Sequence, residues 1–301
     1  MPFTSRPYAG QRDLENLSTF LTQARSSIHN VHSLHVGDLT WQLSHMQAAF
    51  NPADIVQLSE DEYGRLTGFV LLYPAFGFFD LQVQMQRRGT ALEEEMLAWT
   101  EQHLAAFRQQ GNAGMLSTLV HEHDALRIAL LEAHGYRKGD PWLYMQRSLT
   151  APIPSAQLPP GFTVRHVTDE REAEARAAVL AAAFEAPVQT ERYRQFMRAP
   201  GYRFELDLVA VAPDGRFGAF ATCWIDPVNK VGQFEPVGTA PAFRRMGLGR
   251  AVLLEGMQQM KLQGAESVIV VVEEAEDAAH ALYESVGLRP RWNLYTYSKG
   301  Y

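Results

Sequence analysis

Apolar residues recur along this chain with two different periods, and the two alternate. Residues 205–212, 217–226, 232–239 and 267–272 are short apolar runs bounded by turn residues, and they predict strands. Pro213-Asp214-Gly215-Arg216, between the first two, is a strong turn signal. After residue 247 the period lengthens: Leu253, Leu254, Met257 and Met260 mark one stripe of a helix reaching about 263. A strand over 162–167, a helix from Asp169 with Thr168 as its N-cap, and a short helix over 189–198 precede these elements. An Ala-rich helix ending near Val286 and a strand over 292–298 follow them. The first half gives a similar order: helices 11–25 and 38–48, strands 54–59, 67–74 and 79–86, helix 91–109, strand 115–120, helix 124–134 and strand 142–149.

Between the halves lies Ser148 to Gly161, SLTAPIPSAQLPPG, with four prolines and no charge. It reads as a semi-rigid linker over 150–161. The flanking halves read as one unit written twice. Phe3-Thr4-Ser5-Arg6 opens the first and Phe162-Thr163-Val164-Arg165 the second. Leu130-Leu131-Glu132-Ala133-His134-Gly135-Tyr136 recurs as Leu282-Tyr283-Glu284-Ser285-Val286-Gly287-Leu288. Strands followed by alternating helix and strand imply an α/β layered domain. Two such domains, 1–149 and 162–301, fit the 301 residues.

Composition narrows the function classes. A net charge of −7, negative in both halves, lacks the footprint of a nucleic-acid binder. No apolar stretch reaches the roughly 20 residues of a membrane span; the run from Leu66 to Leu81 is broken by Gly68, Pro74, Gly77 and Asp80. The first residues show no secretory signal. The single cysteine, Cys223, excludes an internal disulfide framework and fits a reducing cytoplasm. A cytoplasmic protein contacting neither membrane nor nucleic acid is expected.

The chemistry concentrates in residues 235–251, Glu-Pro-Val-Gly-Thr-Ala-Pro-Ala-Phe-Arg-Arg-Met-Gly-Leu-Gly-Arg-Ala. A strand delivers the chain to Thr239, Pro241 stops it, and Gly247 and Gly249 open a helix. Backbone N–H groups of Arg245, Met246, Gly247, Leu248 and Gly249 can converge on an anion there, with the helix dipole favouring it. Arg244, Arg245 and Arg250 add charge-assisted donors. A pyrophosphate suits the site. It is not a Walker loop, for want of Gly-Lys-Ser/Thr, nor a dinucleotide fingerprint, for want of a third glycine. By itself it is also compatible with a plain tight turn.

Arg244-x-x-Gly247-x-Gly249 after a strand, joined to Ala279-x-x-Leu282-Tyr283-Glu284-x-x-Gly287, resembles the GCN5-related N-acetyltransferase (GNAT) superfamily. The resemblance is specific over 205–288 and extends by element order over the first half. It implies two tandem GNAT-like domains, each a mixed, mostly antiparallel sheet flanked by helices, similar in layout to the mycothiol synthases. It further implies that the loop cradles the pyrophosphate of acetyl-CoA, that the backbone of Val237, Gly238 and Thr239 holds the pantetheine arm, and that Tyr283 lies near the thioester sulfur. One departure is Glu276, where the family often has Asn.

The first half departs further. Offset by 153, through Gly111 and Gly264, it sets Ala91, Glu94 and Met96 opposite Arg244, Gly247 and Gly249. Carboxylates of Glu93-Glu94-Glu95 repel a pyrophosphate, and Leu131 replaces Tyr283. This half reads as a degenerate copy without a cofactor site that completes the active domain, as in a monomer acting as an internal pseudo-dimer; a homodimer is the other possibility.

Acetyl transfer to an amine needs a base, a polarised carbonyl and a proton for the thiolate. Glu235, on one strand face with Gln233 and Val237 by period two, is the candidate base. Backbone N–H groups near Val237 are candidate oxyanion donors. Tyr283, about 100° round its helix from Leu282, is the candidate acid, its ordinary pKa of about 10 close to that of an alkyl thiol. The expected reaction is N-acetylation of a small-molecule primary amine by direct attack. A non-catalytic acyl-CoA sensor, which needs neither Glu235 nor Tyr283, is the alternative. The acceptor is expected to be shaped by residues 185–204 and the domain junction. Other features read as structural: His121-Glu122-His123-Asp124 lacks metal-site spacing, His29, His32 and His35 fall in a solvated loop, Cys223 is a small core residue, and Phe69, Tyr73, Phe76, Phe78 and Phe79 are sheet core. No metal is expected.

Overall fold

The computed structural model describes residues 3–27, 34–47, 49–108 and 114–300. Along the chain run β1 (Phe3–Pro7), α1 (Gln11–Ser27), α2 (Val36–Met46), α3 (Pro52–Ile55), β2 (Val56–Asp61), β3 (Leu66–Tyr73), β4 (Phe78–Val83), α4 (Ala91–Arg108), β5 (Met115–His121), α5 (Ala125–Ala133) and β6 (Arg137–Ser148). Then follow β7 (Thr163–His166), α6 (Ala173–Phe184), α7 (Thr190–Phe196), β8 (Asp207–Val211), β9 (Phe217–Asp226), β10 (Val231–Thr239), α8 (Leu248–Leu262), β11 (Ser267–Glu273), α9 (Asp277–Ser285) and β12 (Arg289–Gly300). None of the helices among the described residues is long and apolar enough to cross a membrane.

The residues form two compact units. The first comprises Met1–His35, His45–Leu143 and Trp292–Tyr301; the second comprises Val36–Ser44 and Tyr144–Arg291. In the first the strand order is β1-β2-β3-β4-β5-β12, and in the second β6-β11-β10-β9-β8-β7. The ladders β1/β2, β2/β3, β3/β4 and β5/β12 are antiparallel, as are β7/β8, β8/β9 and β9/β10. β4/β5 and β10/β11 are parallel. Each sheet is therefore mixed and mostly antiparallel. The units do not divide at residue 149: the second contains α2 up to Ser44 and β6 from Tyr144, and the first contains β12 from Trp292. Two copies of one motif offer similar sheet edges, so local pattern does not say which copy a terminal strand joins.

β9 is buried over nearly its whole length and lies centrally in its sheet, which explains its continuous rather than alternating apolar run. Leu253, Leu254, Met257 and Met260 of α8 are fully buried, as the stripe predicts. The Pro213–Arg216 turn forms with Gly215 at φ 84° and the Ala212 N–H donating to the Arg216 carbonyl at 2.8 Å. Asp169, not Thr168, caps the start of the helical segment: its side chain accepts the Arg171 N–H, a 3-10 turn follows, and α6 begins only at Ala173. Asn51 and Pro52 set a helical turn that delays β2 to Val56.

Cys223 is buried, and burial raises its thiol well above the ordinary value. Phe69, Tyr73 and Phe79 are core, but Phe76 is 66% exposed, because it sits in the turn joining β3 to β4. His35 is buried rather than solvated; His29, His32 and Gly111 lie outside the described residues.

Candidate active site

The site of the second unit begins where a ladder stops. β10 and β11 pair in parallel at Val231, Gly232 and Gln233 opposite Ser267, Val268 and Ile269, and both strands continue beyond the last of these pairs. On its other side β10 stays paired with β9, through a register shift between Phe234 and Val237. The Glu235–Pro236 peptide within that shift is cis. The backbone from Phe234 to Thr239 thus runs beside a broken ladder on its β11 side. This bulge overturns the period-two reading. Val237 pairs with Ala221 as Phe234 pairs with Cys223, so Val237 shares the face of Phe234 and not that of Gln233.

β10 ends at a 3-10 turn, Pro241–Phe243, and the loop from Arg244 leads into α8. Two residues of the loop are left-handed, Arg245 at φ 65° and Gly247 at φ 78°. Met246 and Gly247 are exposed, and Gly247 precedes the first helical residue, Leu248. A helix leaves the N–H groups of its first turn without intrahelical partners. Those of Leu248, Gly249 and Arg250 therefore project with the positive end of the dipole, an arrangement suited to an anion.

Small residues keep the cradle open. A Cβ on Gly249 meets Thr239 Oγ1 at 3.1 Å and Leu282 at 3.3 Å, whereas one on Gly247 finds only the Gln157 carbonyl oxygen, at 3.9 Å. A Cβ on Gly238 collides with Phe220 at 2.6 Å. The arginines are less simply disposed than the sequence suggests. Arg244 reaches the carbonyls of Thr239 and Ala183 at 3.4 and 3.5 Å, and the Glu185 carboxylate at 3.8 Å. Arg250 donates to the Ser285 carbonyl at 3.4 Å. Both guanidinium groups tie the loop to the C-terminal ends of α6 and α9, leaving the backbone N–H groups as the inner donors.

Glu235 sits at the bulge. Burial pushes its carboxyl up to about 8, and the charge of Asp38 adds to the rise. Tyr283 is buried, and its phenol is pushed well above the ordinary value, first by burial and then by the charge of Glu235. The structure thus brings the two proposed catalytic side chains within electrostatic reach. The phenol does not keep the unperturbed pKa assumed from sequence, because it is desolvated.

Asp38 is the residue that sequence reasoning missed. It lies on α2, whose residues Val36–Ser44 belong to the second unit. Gln233 Nε2 donates to Asp38 Oδ1 at 2.6 Å, and Gln233 Oε1 is buried without a hydrogen-bond partner. A Cβ on Gly37 falls 2.3 Å from Trp224, so α2 approaches β9 closely at this point. Trp224 Nε1 donates to the Glu235 carbonyl at 2.5 Å. Around these residues Phe196 meets Trp41 edge-on at 5.0 Å and Trp224 at 5.9 Å between ring centroids. No local motif marks Asp38, which sits in an ordinary amphipathic helix.

A family match and curated relatives identify an acetyltransferase. Residues 173–288, within the second unit, match the model of the Acetyltransferase (GNAT) family. Among curated proteins it is similar to mycothiol acetyltransferases. That of Salinispora tropica is 29% identical over 238 residues, covering 73% of this chain and 76% of the relative. That of Thermobispora bispora is 31% identical over 159 residues, covering 50% and 54%. Solved structures agree in fold. A GCN5-related N-acetyltransferase from Sphaerobacter thermophilus superposes with a TM-score of 0.66 at 18% identity, over 99% of this chain and 95% of that one. A tandem GNAT protein from the clavulanic acid biosynthesis pathway gives 0.67 at 15% identity, over 99% and 98%.

Proposed function

We propose that the second unit transfers an acetyl group from acetyl-CoA to the primary amine of a small molecule by direct attack. The observation that carries this reading is Glu235 on the broken ladder that leads into the glycine loop, with Asp38 of α2 hydrogen-bonded to Gln233 two residues before it. The donor set fits acetyl-CoA: unpaired N–H groups at the start of α8 suit its pyrophosphate, and the open edge of β10 at Val237, Gly238 and Thr239 suits an amide-bearing arm. Acetyl-CoA supplies the acetyl group on a thiol leaving group.

The chain's own residues do the rest. An acceptor ammonium is drawn to the carboxyl groups of Asp38 and Glu235, with the unpaired Gln233 Oε1 as a further acceptor. Glu235, with a carboxyl near 8, matches the basicity of a primary amine well enough to take its proton at neutral to alkaline pH. The freed nitrogen lone pair forms the N–C bond to the thioester carbonyl carbon, and the C–S bond breaks with its electron pair going to sulfur. Backbone N–H groups near Val237 donate toward the carbonyl oxygen as charge develops there. Tyr283 delivers a proton to the departing sulfur, and the second proton, which the nitrogen loses as the amide forms, restores the phenol. Once Glu235 is neutralised by the amine's proton, one cause of the raised phenol pKa disappears, so the base and the acid work in sequence.

Similarity to proteins named mycothiol acetyltransferases supports acetyl transfer to a small molecule. The test is release of coenzyme A from acetyl-CoA over a panel of small amines, including aminoacylated sugars. Turnover with one class of amine supports the reading; binding of acetyl-CoA without turnover across the panel makes the protein a sensor instead.

A further inference from the structure

The two units end their fourth and tenth strands alike. The Gln84 N–H donates to the Thr67 carbonyl at 2.9 Å, as the Ala240 N–H donates to the Gly218 carbonyl at 3.0 Å. A 3-10 turn follows in each, Met85–Arg87 and Pro241–Phe243. This correspondence replaces the register drawn through Gly111. It sets Leu81 opposite Val237 and Arg88 opposite Arg244, and it makes Arg88-Gly89-Thr90, one residue shorter, the counterpart of the loop from Arg244 to Gly247. Gly89, at φ 65°, has the left-handed backbone that Arg245 has in the second unit. The parallel ladder is broken here as well, with β4 and β5 pairing at Phe78 and Ser117. The cleft of the first unit is therefore built, and what fills it is protein.

Glu93, from the first turn of α4, is fully buried. Its Oε2 accepts the Gly89 N–H at 2.6 Å, and its Oε1 accepts Arg127 Nε at 2.6 Å. The guanidinium of Arg127 then donates through a second nitrogen to the Leu81 carbonyl at 2.8 Å. Arg88 is paired with Asp124. The space left between β4 and β5 is a polar cavity of about 20 Å³, enough for a water molecule and nothing larger. Glu94, the residue set opposite the loop by the register through Gly111, is exposed.

We propose that Glu93 and Arg127 are a built-in substitute for the co-substrate in the first unit. The carboxylate holds the loop N–H that a pyrophosphate would hold, and the guanidinium holds the strand carbonyl that stands where Val237 stands in the second unit. The inference rests on reading the second unit's loop as the acetyl-CoA site. It gives the degenerate copy a physical form: a cleft kept closed by its own ion pair, satisfied without ligand, so that each chain takes up one co-substrate. Burial works to raise the Glu93 carboxyl, but Arg127, the Gly89 N–H and Arg88 together bring it below its ordinary value, so this internal anion stays charged at neutral pH.

Calorimetric titration of the full chain with coenzyme A is expected to give one site. Two sites overturn the proposal, and no site overturns the reading on which it rests. The second measurement uses Gly247→Glu, which closes the second unit's loop, as the background for thermal melting. Coenzyme A and inorganic pyrophosphate are expected to leave its melting temperature unchanged. Adding Glu93→Ala leaves Arg127 and the Gly89 N–H facing an emptied cleft, and either ligand is then expected to raise the melting temperature by several degrees. Glu93→Gln, which keeps the side-chain volume, serves if the alanine variant does not fold, with a smaller rise expected for pyrophosphate. A folded double variant that responds to neither ligand overturns the proposal.

Discussion

Gln233 on β10 donates a 2.6 Å hydrogen bond to Asp38 on α2, 195 residues earlier in the chain. The bond places a carboxyl group from the first repeat beside Glu235, the base proposed for the second. It explains why Glu235 is pushed up to about 8: burial disfavours its charge, and a second carboxylate nearby disfavours it further.

The first prediction concerns that second carboxylate. Asp38→Asn removes a like charge and leaves a polar side chain able to meet Gln233. The inflection in the pH dependence of acetyl transfer is expected to move to lower pH than the wild type's, which should lie near 8. Acetyl-CoA affinity should be unchanged. A pH–rate profile of both proteins checks this, and coincident profiles would show that Asp38 does not act on Glu235.

Glu235 itself makes two tests. Without its carboxylate, Glu235→Gln should lose roughly 10²- to 10⁴-fold in rate, the range for a general base. Its effect on stability has a definite sign. A carboxyl raised from 4.5 in the unfolded chain to about 8 in the fold holds a proton in the native state that the unfolded chain has released between those values. Stability therefore falls as pH rises through that window. Glu235→Gln is expected to melt above the wild type at pH 8 to 9, with the advantage shrinking toward pH 5.

Gly247→Glu tests the anion cradle. The position is exposed and a Cβ there has room, so the cost to the fold is that of a left-handed non-glycine residue, about 1–2 kcal/mol. A carboxylate among the N–H groups of the helix start should abolish acetyl-CoA binding by calorimetry while the far-ultraviolet circular dichroism stays that of the wild type. Unchanged affinity would reduce the loop to a turn.

Tyr283→Phe keeps the buried ring and removes the proton. The acetylation rate is expected to fall roughly 10²-fold, the lower end for a general acid, with acetyl-CoA affinity nearly unchanged. Steady-state rates and equilibrium binding on one preparation decide it: an unaltered rate makes water the proton donor.

A structural prediction falls on Asp207, which accepts Arg176 Nε at 3.0 Å and the hydroxyls of Tyr193 and Tyr202 at 2.8 Å each. Arg176 and Asp207 are both fully buried. Asp207→Ala leaves the guanidinium uncompensated in the core, and a loss of about 3–5 kcal/mol is expected. Urea denaturation measures it.

Local chemistry made much of this protein legible before any fold was known. The stripe of Leu253, Leu254, Met257 and Met260 announces α8, and Pro213-Asp214-Gly215-Arg216 announces its turn. Gly247 and Gly249 after a strand announce the loop that opens α8. These features depend on residues within a few positions of one another, where backbone sterics and helix periodicity act. What depended on distant partners was decided only in three dimensions. The bulge at Glu235–Pro236 changes which face Val237 occupies, and a register shift is a property of two strands rather than one. Asp38 entered the candidate site because α2 packs on Trp224, and β6 and β12 are each divided between the two units. Glu93 displaced Glu94 as the charge at the first unit's loop because the helical rotation of about 100° per residue turns one inward to Gly89 and Arg127 and the other to solvent. Sequence pattern determines which residues can form a helix, a strand or a cradle; burial and charge pairing across the fold determine which of them meet.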